Sequence, residues 1–95
     1  MVNMKSNRGQ TITIDLGVDR SSSPLSIGSG NSFSVLYTTG TFWIEVIYPN
    51  GLTDTIPEEA LITGFYLEEE FADIKIYNNP QAGKKAIVHK SWSAY

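Results

Sequence analysis

The stretch from Asn31 to Ile56, NSFSVLYTTGTFWIEVIYPNGLTDTI, decides the fold class. It predicts three antiparallel strands joined by two turns. Thr39-Gly40 is expected to turn the first pair of strands. Pro49-Asn50-Gly51 is expected to turn the second pair, because proline presets φ at the second turn position and Asn-Gly accommodates a positive φ. The stretch therefore indicates an all-β protein, and it contains no reacting group.

Alternation within this stretch assigns the two faces of its strands. The inner face is expected to carry Phe33, Val35 and Tyr37 from the first strand, and Phe42, Ile44, Val46 and Tyr48 from the second. Trp43 and Ile47 fall on the reverse face of the second strand, with Glu45 between them. Apolar residues on both faces indicate a central strand, or a strand whose outer face meets a partner.

The other segments predict further short strands. They are Gln10 to Leu16, a short strand at Leu25 and Ile27, Phe65 to Leu67, Phe71 to Tyr77, and Lys85 to Trp92. The last two are expected to form a hairpin around a loop at 78–83. Pro57 to Leu61 is the best helix candidate, a turn or two long. The prediction is an all-β fold, a small antiparallel β-sandwich or jelly-roll-like barrel of seven or eight strands with at most one short helical turn.

Length and composition limit the organisation of the chain. It has 95 residues and no cysteine, which indicates one domain without disulfides. Residues 1–9 are polar and unpatterned and are predicted to be an N-terminal extended arm, followed by a single β-sandwich domain over 10–95. Because a chain this short buries only about 60–65% of its unfolded surface, oligomerisation is an expected source of further burial.

The charge and hydropathy patterns argue against two classes of partner. The formal net charge is −3, and the seven Lys and Arg residues are scattered along the chain, whereas a phosphate-binding groove needs them clustered. We therefore expect no nucleic-acid binding. No apolar run approaches the length of a membrane span, and the first residues lack the apolar core of a signal peptide. We expect a soluble protein made in the cytoplasm.

No catalytic, cofactor-binding or metal-binding residue is predicted, so the chain is not expected to be an enzyme. There is no G-x-S-x-G motif, and Gly28-Ser29-Gly30 opens a strand rather than a helix. His89, the only histidine, is expected to be a solvent-facing strand residue. The run Glu68-Glu69-Glu70 converges poorly on an ion, since consecutive strand residues point to alternate faces.

The aromatic residues are the remaining functional signal, and Trp43 on an outer face is the least easily explained as core. Such side chains fill a small core, anchor a protein interface or stack on sugar rings. The predicted interface residues are Met1, Val2 and Met4 in the arm, Trp43 and Ile47 on the outer face, and Trp92 and Tyr95 near the C-terminus.

Four features of the chain are similar in style to those of a known group of proteins: the polar arm, the Ile-alternating first strand, the expected central hairpin pair and the expected closing hairpin FADIKIYNNPQAGKKAIVHKSW (71–92). They resemble the small accessory β proteins of tailed-phage virions, which decorate or cement the capsid. The resemblance implies a non-enzymatic homo-oligomer, often a trimer, that clamps neighbouring capsid subunits in the virion.

The alternative is a carbohydrate- or receptor-binding β-sandwich module. It predicts two or three exposed, coplanar aromatic rings among Tyr37, Trp43, Tyr48, Tyr66, Tyr77 and Trp92. A third interpretation, a jelly-roll enzyme resembling cupins, is disfavoured by the single histidine, because that type uses several histidine ligands.

Overall fold

The computed structural model describes residues 8–92, and these residues form eight strands and no helix. The strands are β1 (Arg8–Asp15), β2 (Leu25–Ser26), β3 (Ser32–Thr38), β4 (Trp43–Ile47), β5 (Thr53–Ile56), β6 (Tyr66–Leu67), β7 (Asp73–Tyr77) and β8 (Lys85–Trp92). β1 starts two residues before the predicted strand, because Arg8 and Gly9 continue its pairing with β8. The rest of the predicted arm lies outside the described residues.

The strands form two antiparallel sheets of four strands each. The first sheet has the order β1-β8-β3-β6, and the second has the order β2-β7-β4-β5. The pairing is nested, with β1 on β8, β2 on β7, β3 on β6 and β4 on β5. The chain is thus one long folded-back hairpin rolled into two layers, which is a jelly roll. The predicted all-β fold, a small antiparallel β-sandwich or jelly-roll-like barrel of seven or eight strands, is confirmed.

The core lies between the sheets and is formed by alternate residues of the long strands. Its fully or almost fully buried side chains are Ile14, Leu16, Phe33, Val35, Phe42, Ile44, Val46, Leu61, Phe71, Ile74, Ile76, Ala86 and Val88. The predicted inner row of β4 is therefore largely correct, since Phe42, Ile44 and Val46 are fully buried. Leu61, which lies in the irregular segment between β5 and β6, packs against the core and is almost fully buried.

Tyr37 departs from the predicted inner face of β3. The pairing of β3 with β8 shifts after Val35, which lies opposite Val88, so that Tyr37 lies opposite Ile87. Leu36 is the extra residue of this β-bulge, and an inserted residue inverts the alternation of the strand beyond it. As a result, Leu36 and Tyr37 are both exposed, at 50% and 46% of their surfaces.

The predicted hairpin at Thr39-Gly40 is wrong, because this segment crosses from the first sheet to the second. The φ angle of Gly40 lies outside the left-handed region, so the residue does not supply turn flexibility. It supplies space. A Cβ at Gly40 would lie 2.6 Å from Gln81 Oε1 and 2.9 Å from Leu16 Cδ1. The Gln81 side chain accepts a bond from the Thr41 N–H at 2.8 Å, which holds the crossover against the neighbouring loop.

The predicted hairpin of the last two strands is also wrong, because β7 belongs to the second sheet and β8 to the first. The loop between them begins with Asn78, whose side chain is fully buried. Its Nδ2 donates to the carbonyls of Leu16, Val18 and Asn79. This amide ties the loop to the end of β1, so the chain bridges the two layers instead of reversing within one.

The second predicted turn, at Asn50-Gly51, is confirmed. Gly51 has a φ of 88° and donates its N–H to the Tyr48 carbonyl at 2.9 Å. Asn50 Oδ1 accepts the Leu52 N–H at 3.0 Å. The segment after Pro57 makes hydrogen-bonded turns but no helix, in keeping with the limit of one short helical turn.

Candidate interaction face

The outer face of the second sheet is formed by the residues of β4, β5 and β7 that alternate with the core residues. They lie in rows across the strands: Tyr77 beside Trp43; Lys75 beside Glu45 and Thr55; Asp73 beside Ile47 and Thr53. We call this surface the Trp43 face. Trp43 and Ile47, both predicted interface residues, therefore lie on one surface, at its two ends and with Glu45 between them.

Trp43 and Tyr77 form a stacked pair on this face. Their ring centroids lie 5.6 Å apart and their planes differ by 5°. Carbon atoms of separate rings approach to about 3.5–4.0 Å, so two rings lying side by side in one plane would have centroids more than about 6 Å apart. The pair is therefore an offset stack in which each ring covers part of the other. Both side chains are half-buried.

The tyrosine of the stack is fixed by a carboxylate. Tyr77 Oη donates to Glu45 Oε1 at 3.2 Å. Burial, together with this hydrogen bond, raises the pKa of the Tyr77 phenol, so the phenol stays neutral at physiological pH. Glu45 lies opposite Lys75 on the neighbouring strand. The hydrogen bond and the stacking therefore restrict the orientation of both rings.

A shallow depression lies on the β5 side of Trp43. It has a volume of about 310 Å³ and is lined by Trp43, Thr55, Pro57, Glu58 and Glu59. Its lining combines the half-buried indole with an exposed proline ring and two exposed carboxylates. Such a site suits an apolar side chain flanked by positive charge.

Trp92 lies apart from the Trp43 face, on β8 of the first sheet. Its indole Nε1 donates to Ser29 Oγ at 3.2 Å, and the ring is half-buried. The predicted interface residues Met1, Val2, Met4 and Tyr95 lie outside the described residues. The structure therefore brings Trp43 and Ile47 together and leaves Trp92 on the other layer.

A second set of apolar side chains is exposed outside the Trp43 face. Tyr37 and Tyr66 are among the aromatic residues that a carbohydrate-binding module predicts to be exposed, whereas the exposure of Leu36 and Ile62 was not predicted. Leu36 and Tyr37 at the bulge, Ile62 at 62% and Tyr66 at 56% are more exposed than any apolar residue of the Trp43 face. No local sequence signal marks the bulge that exposes the first two. Tyr66 lies beside Ser34 at the edge of the first sheet. These side chains make useful controls for the Trp43 face.

His89 lies on the outer face of the first sheet and is half-buried. Its Nδ1 lies 3.0 Å from Thr11 Oγ1, and its ring packs over Gly9, where a Cβ would come within 2.8 Å. The acidic run at 68–70 is exposed, and Glu69 Oε1 accepts a bond from Tyr48 Oη at 3.0 Å. Within residues 8–92, no three His, Asp or Glu side chains are grouped to hold a metal ion.

Helices that could cross a membrane are lacking in the described part of the chain. Comparison with protein-family models, with curated proteins and with solved structures finds no match.

Proposed function

We propose that this chain is a non-enzymatic structural protein that binds neighbouring protein subunits through the Trp43 face. Its specific role is capsid decoration or cementing in a tailed-phage virion, reached after synthesis in the host cytoplasm. The observation that carries the proposal is the Trp43–Tyr77 stack on the outer face of a two-layer sandwich. The virion role rests on the resemblance of the sequence, and the jelly roll is an architecture that capsid domains use.

The stack has the properties of an interface anchor. Tryptophan and tyrosine are enriched among residues that dominate binding energy, especially in well-packed pockets. The bond from Tyr77 to Glu45 and the parallel packing against Trp43 already restrict both rings. Binding therefore causes little further loss of side-chain entropy. Such a loss costs about 0.5–1.5 kcal/mol for each side chain that binding immobilises.

The charges near Trp43 indicate the chemistry of the partner. Glu58 and Glu59 border the depression beside the indole, and Glu45 lies one row away from it. An apolar side chain with Lys or Arg beside it would complement this arrangement. Because rim charges mainly affect the association rate, we expect binding to slow moderately as the salt concentration rises.

The test is association with particles. Density-banded virus particles from a culture in which the encoding genome replicates should contain the chain at a fixed ratio to the main shell protein. Trp43→Ala should lower this ratio strongly. Tyr66→Ala removes an exposed aromatic from the opposite sheet and should leave the ratio unchanged. Circular dichroism of both variants controls for folding. Absence of the chain from the particles, or equal ratios for the two variants, would contradict the proposal.

A carbohydrate-binding module is the second candidate, because the depression joins an indole to two carboxylates. The offset stack does not provide a flat platform of coplanar rings, which favours the protein interface. A thermal-shift screen against a glycan panel separates the two candidates. Stabilisation that Trp43→Ala removes would support sugar binding, and an unchanged melting temperature throughout the panel would remove this candidate.

A further inference from the structure

The four edge strands of the sandwich differ in how they are protected against pairing with another strand. β2 and β6 have two residues each. β5 has four residues, is followed by Pro57, and places the charged Asp54 in the inward-facing row opposite Val46. Short length, proline and inward charge all discourage edge pairing. β1 has eight residues and pairs with β8 without a register shift, so its free edge is long and regular.

The free edge of β1 presents the backbone groups of the odd-numbered residues. The Leu16 N–H donates to the Lys84 carbonyl at 3.0 Å, at the end of a register in which Ile14 lies opposite Ala86. In an antiparallel pair, hydrogen-bonded and non-hydrogen-bonded positions alternate. The even-numbered residues of β1 therefore bond to β8, and the N–H and C=O groups of the odd-numbered residues point away from the sheet.

Three of these residues form an uncovered stretch. Gly9, Thr11 and Thr13 are exposed, and their free-edge groups have no hydrogen-bond partner among residues 8–92. The next odd residue, Asp15, is different, because its carbonyl accepts a bond from Arg20 at 2.7 Å. The available edge is therefore 9–13, centred on Thr11.

We propose that this edge pairs with the same edge of a second copy, antiparallel and about a two-fold axis at Thr11. Thr11 would lie opposite Thr11 of the second copy, and Gly9 opposite Thr13 in both directions. Each opposed pair would exchange two hydrogen bonds, which satisfies every free-edge group of the stretch. The two first sheets would join into one continuous sheet.

The side chains are compatible with this pairing. No charged residue lies between Gly9 and Ile14, so the two-fold axis brings no like charges together. Opposed threonines interact favourably across strands. Because the edge pairs with the same edge of another copy, the assembly is complete with two copies. The contact therefore gives a dimer, and the trimer implied by the resemblance would need another surface. The inference does not depend on the proposed function, because the Trp43 face stays free in such a dimer.

Amide hydrogen exchange of the full chain by NMR tests the pairing. In dilute solution, the amides of Gln10, Ile12 and Ile14 should be protected by β8, and those of Gly9, Thr11 and Thr13 should exchange rapidly. As the protein concentration rises, the odd-numbered amides should become protected and sedimentation velocity should show a dimer. The reverse pattern, or odd-numbered amides whose exchange is independent of concentration, would overturn the proposal.

Proline substitution gives a matched pair of variants. Thr13→Pro removes an N–H that faces the free edge and leaves the bonds to β8 intact, since proline is accepted at such edge positions. It should weaken self-association about tenfold or more. Thr55→Pro makes the same change on β5. Tyr48 is hydrogen-bonded to Leu52 at the start of the β4–β5 register, and bonded positions alternate, so the backbone N–H of Thr55 also points to the free edge. Thr55→Pro should leave the dimer unchanged. Equal effects of the two variants would overturn the assignment to β1.

Discussion

Asn78 provides a sharp test of how the loops hold the two sheets together. Its side chain is fully buried, and its Nδ2 donates at 2.8 Å to the Val18 carbonyl and at 3.1 Å to the Leu16 carbonyl. The Leu16 carbonyl also receives the Gln81 N–H at 2.7 Å, so Asn78→Ala leaves chiefly the Val18 carbonyl without its protein donor. Loss of the hydrogen bond to this partly buried carbonyl costs about 0.5–1.5 kcal/mol. With the loss of packing, we expect Asn78→Ala to lower the free energy of unfolding by about 2–3 kcal/mol.

Asn78→Asp should lower the free energy of unfolding more than Asn78→Ala does, although aspartate has nearly the same shape as asparagine. The change places a carboxylate oxygen against carbonyl oxygens, and an uncompensated buried charge costs about 3–5 kcal/mol. Arg20, which donates to Asn78 Oδ1 at 3.1 Å, offsets part of this cost. A protonated acid can still donate one hydrogen bond. The difference between the two variants should therefore shrink as the pH falls towards about 4.

Urea unfolding monitored by circular dichroism measures these differences. A loss of about 2–3 kcal/mol corresponds to a fall in Tm of about 10–20 °C for a domain of this size. Asn79→Ala changes the exposed neighbour and should alter stability by less than about 0.5 kcal/mol. The reasoning would be refuted if Asn78→Asp were as stable as Asn78→Ala at neutral pH, or if Asn79→Ala were equally destabilising.

Three further predictions concern the crossover, the core and the stack. Gly40→Ala should lower the free energy of unfolding, measured in urea, by about 1–3 kcal/mol, because its Cβ would lie 2.6 Å from Gln81 Oε1; unchanged stability would contradict the close approach. Ile74 is fully buried, so Ile74→Ala should lower stability by about 2–5 kcal/mol through a core cavity, and Ile74→Val by about 0.5–1.5 kcal/mol; the reverse order would count against the assigned core. The folded state favours the neutral phenol of Tyr77, whose pKa is raised by burial and by Glu45. The contribution of this phenol to stability is complete below about pH 10 and is lost as the pH rises through the raised pKa. Tyr77→Phe should therefore lose less stability than the unsubstituted chain between neutral and alkaline pH, and equal losses would refute this.

The fold class could be predicted from local patterns, because alternation and turn chemistry act over a few residues. The inner row of β4 and the Asn50-Gly51 turn depend only on such short-range effects, and both are confirmed. The same patterns could not show whether consecutive strands pair within one sheet or cross between two. Thr39-Gly40 has a turn composition, but Gly40 is needed for the approach of the distant Gln81 side chain.

The candidate face could be predicted only in part. The alternation of side chains along β4 predicts that Trp43 and Ile47 lie on its outer surface, and the structure has them there. The partner ring came from Tyr77, which is distant in sequence and becomes a neighbour only through the pairing of β4 with β7. The bulge at Leu36 depends on register with β8, so the exposure of Tyr37 could not be read from the sequence of its own strand.

Hydroxyl-radical footprinting of the chain, free and bound to density-banded particles, tests the central claim most directly. Oxidation of individual side chains reports whether each is open to water. If the Trp43 face is the docking surface, Trp43 and Tyr77 should lose reactivity on the particle, and Tyr37 and Tyr66 on the opposite sheet should keep it. Protection of Tyr37 and Tyr66, with Trp43 as reactive as in the free chain, would contradict the proposed interface.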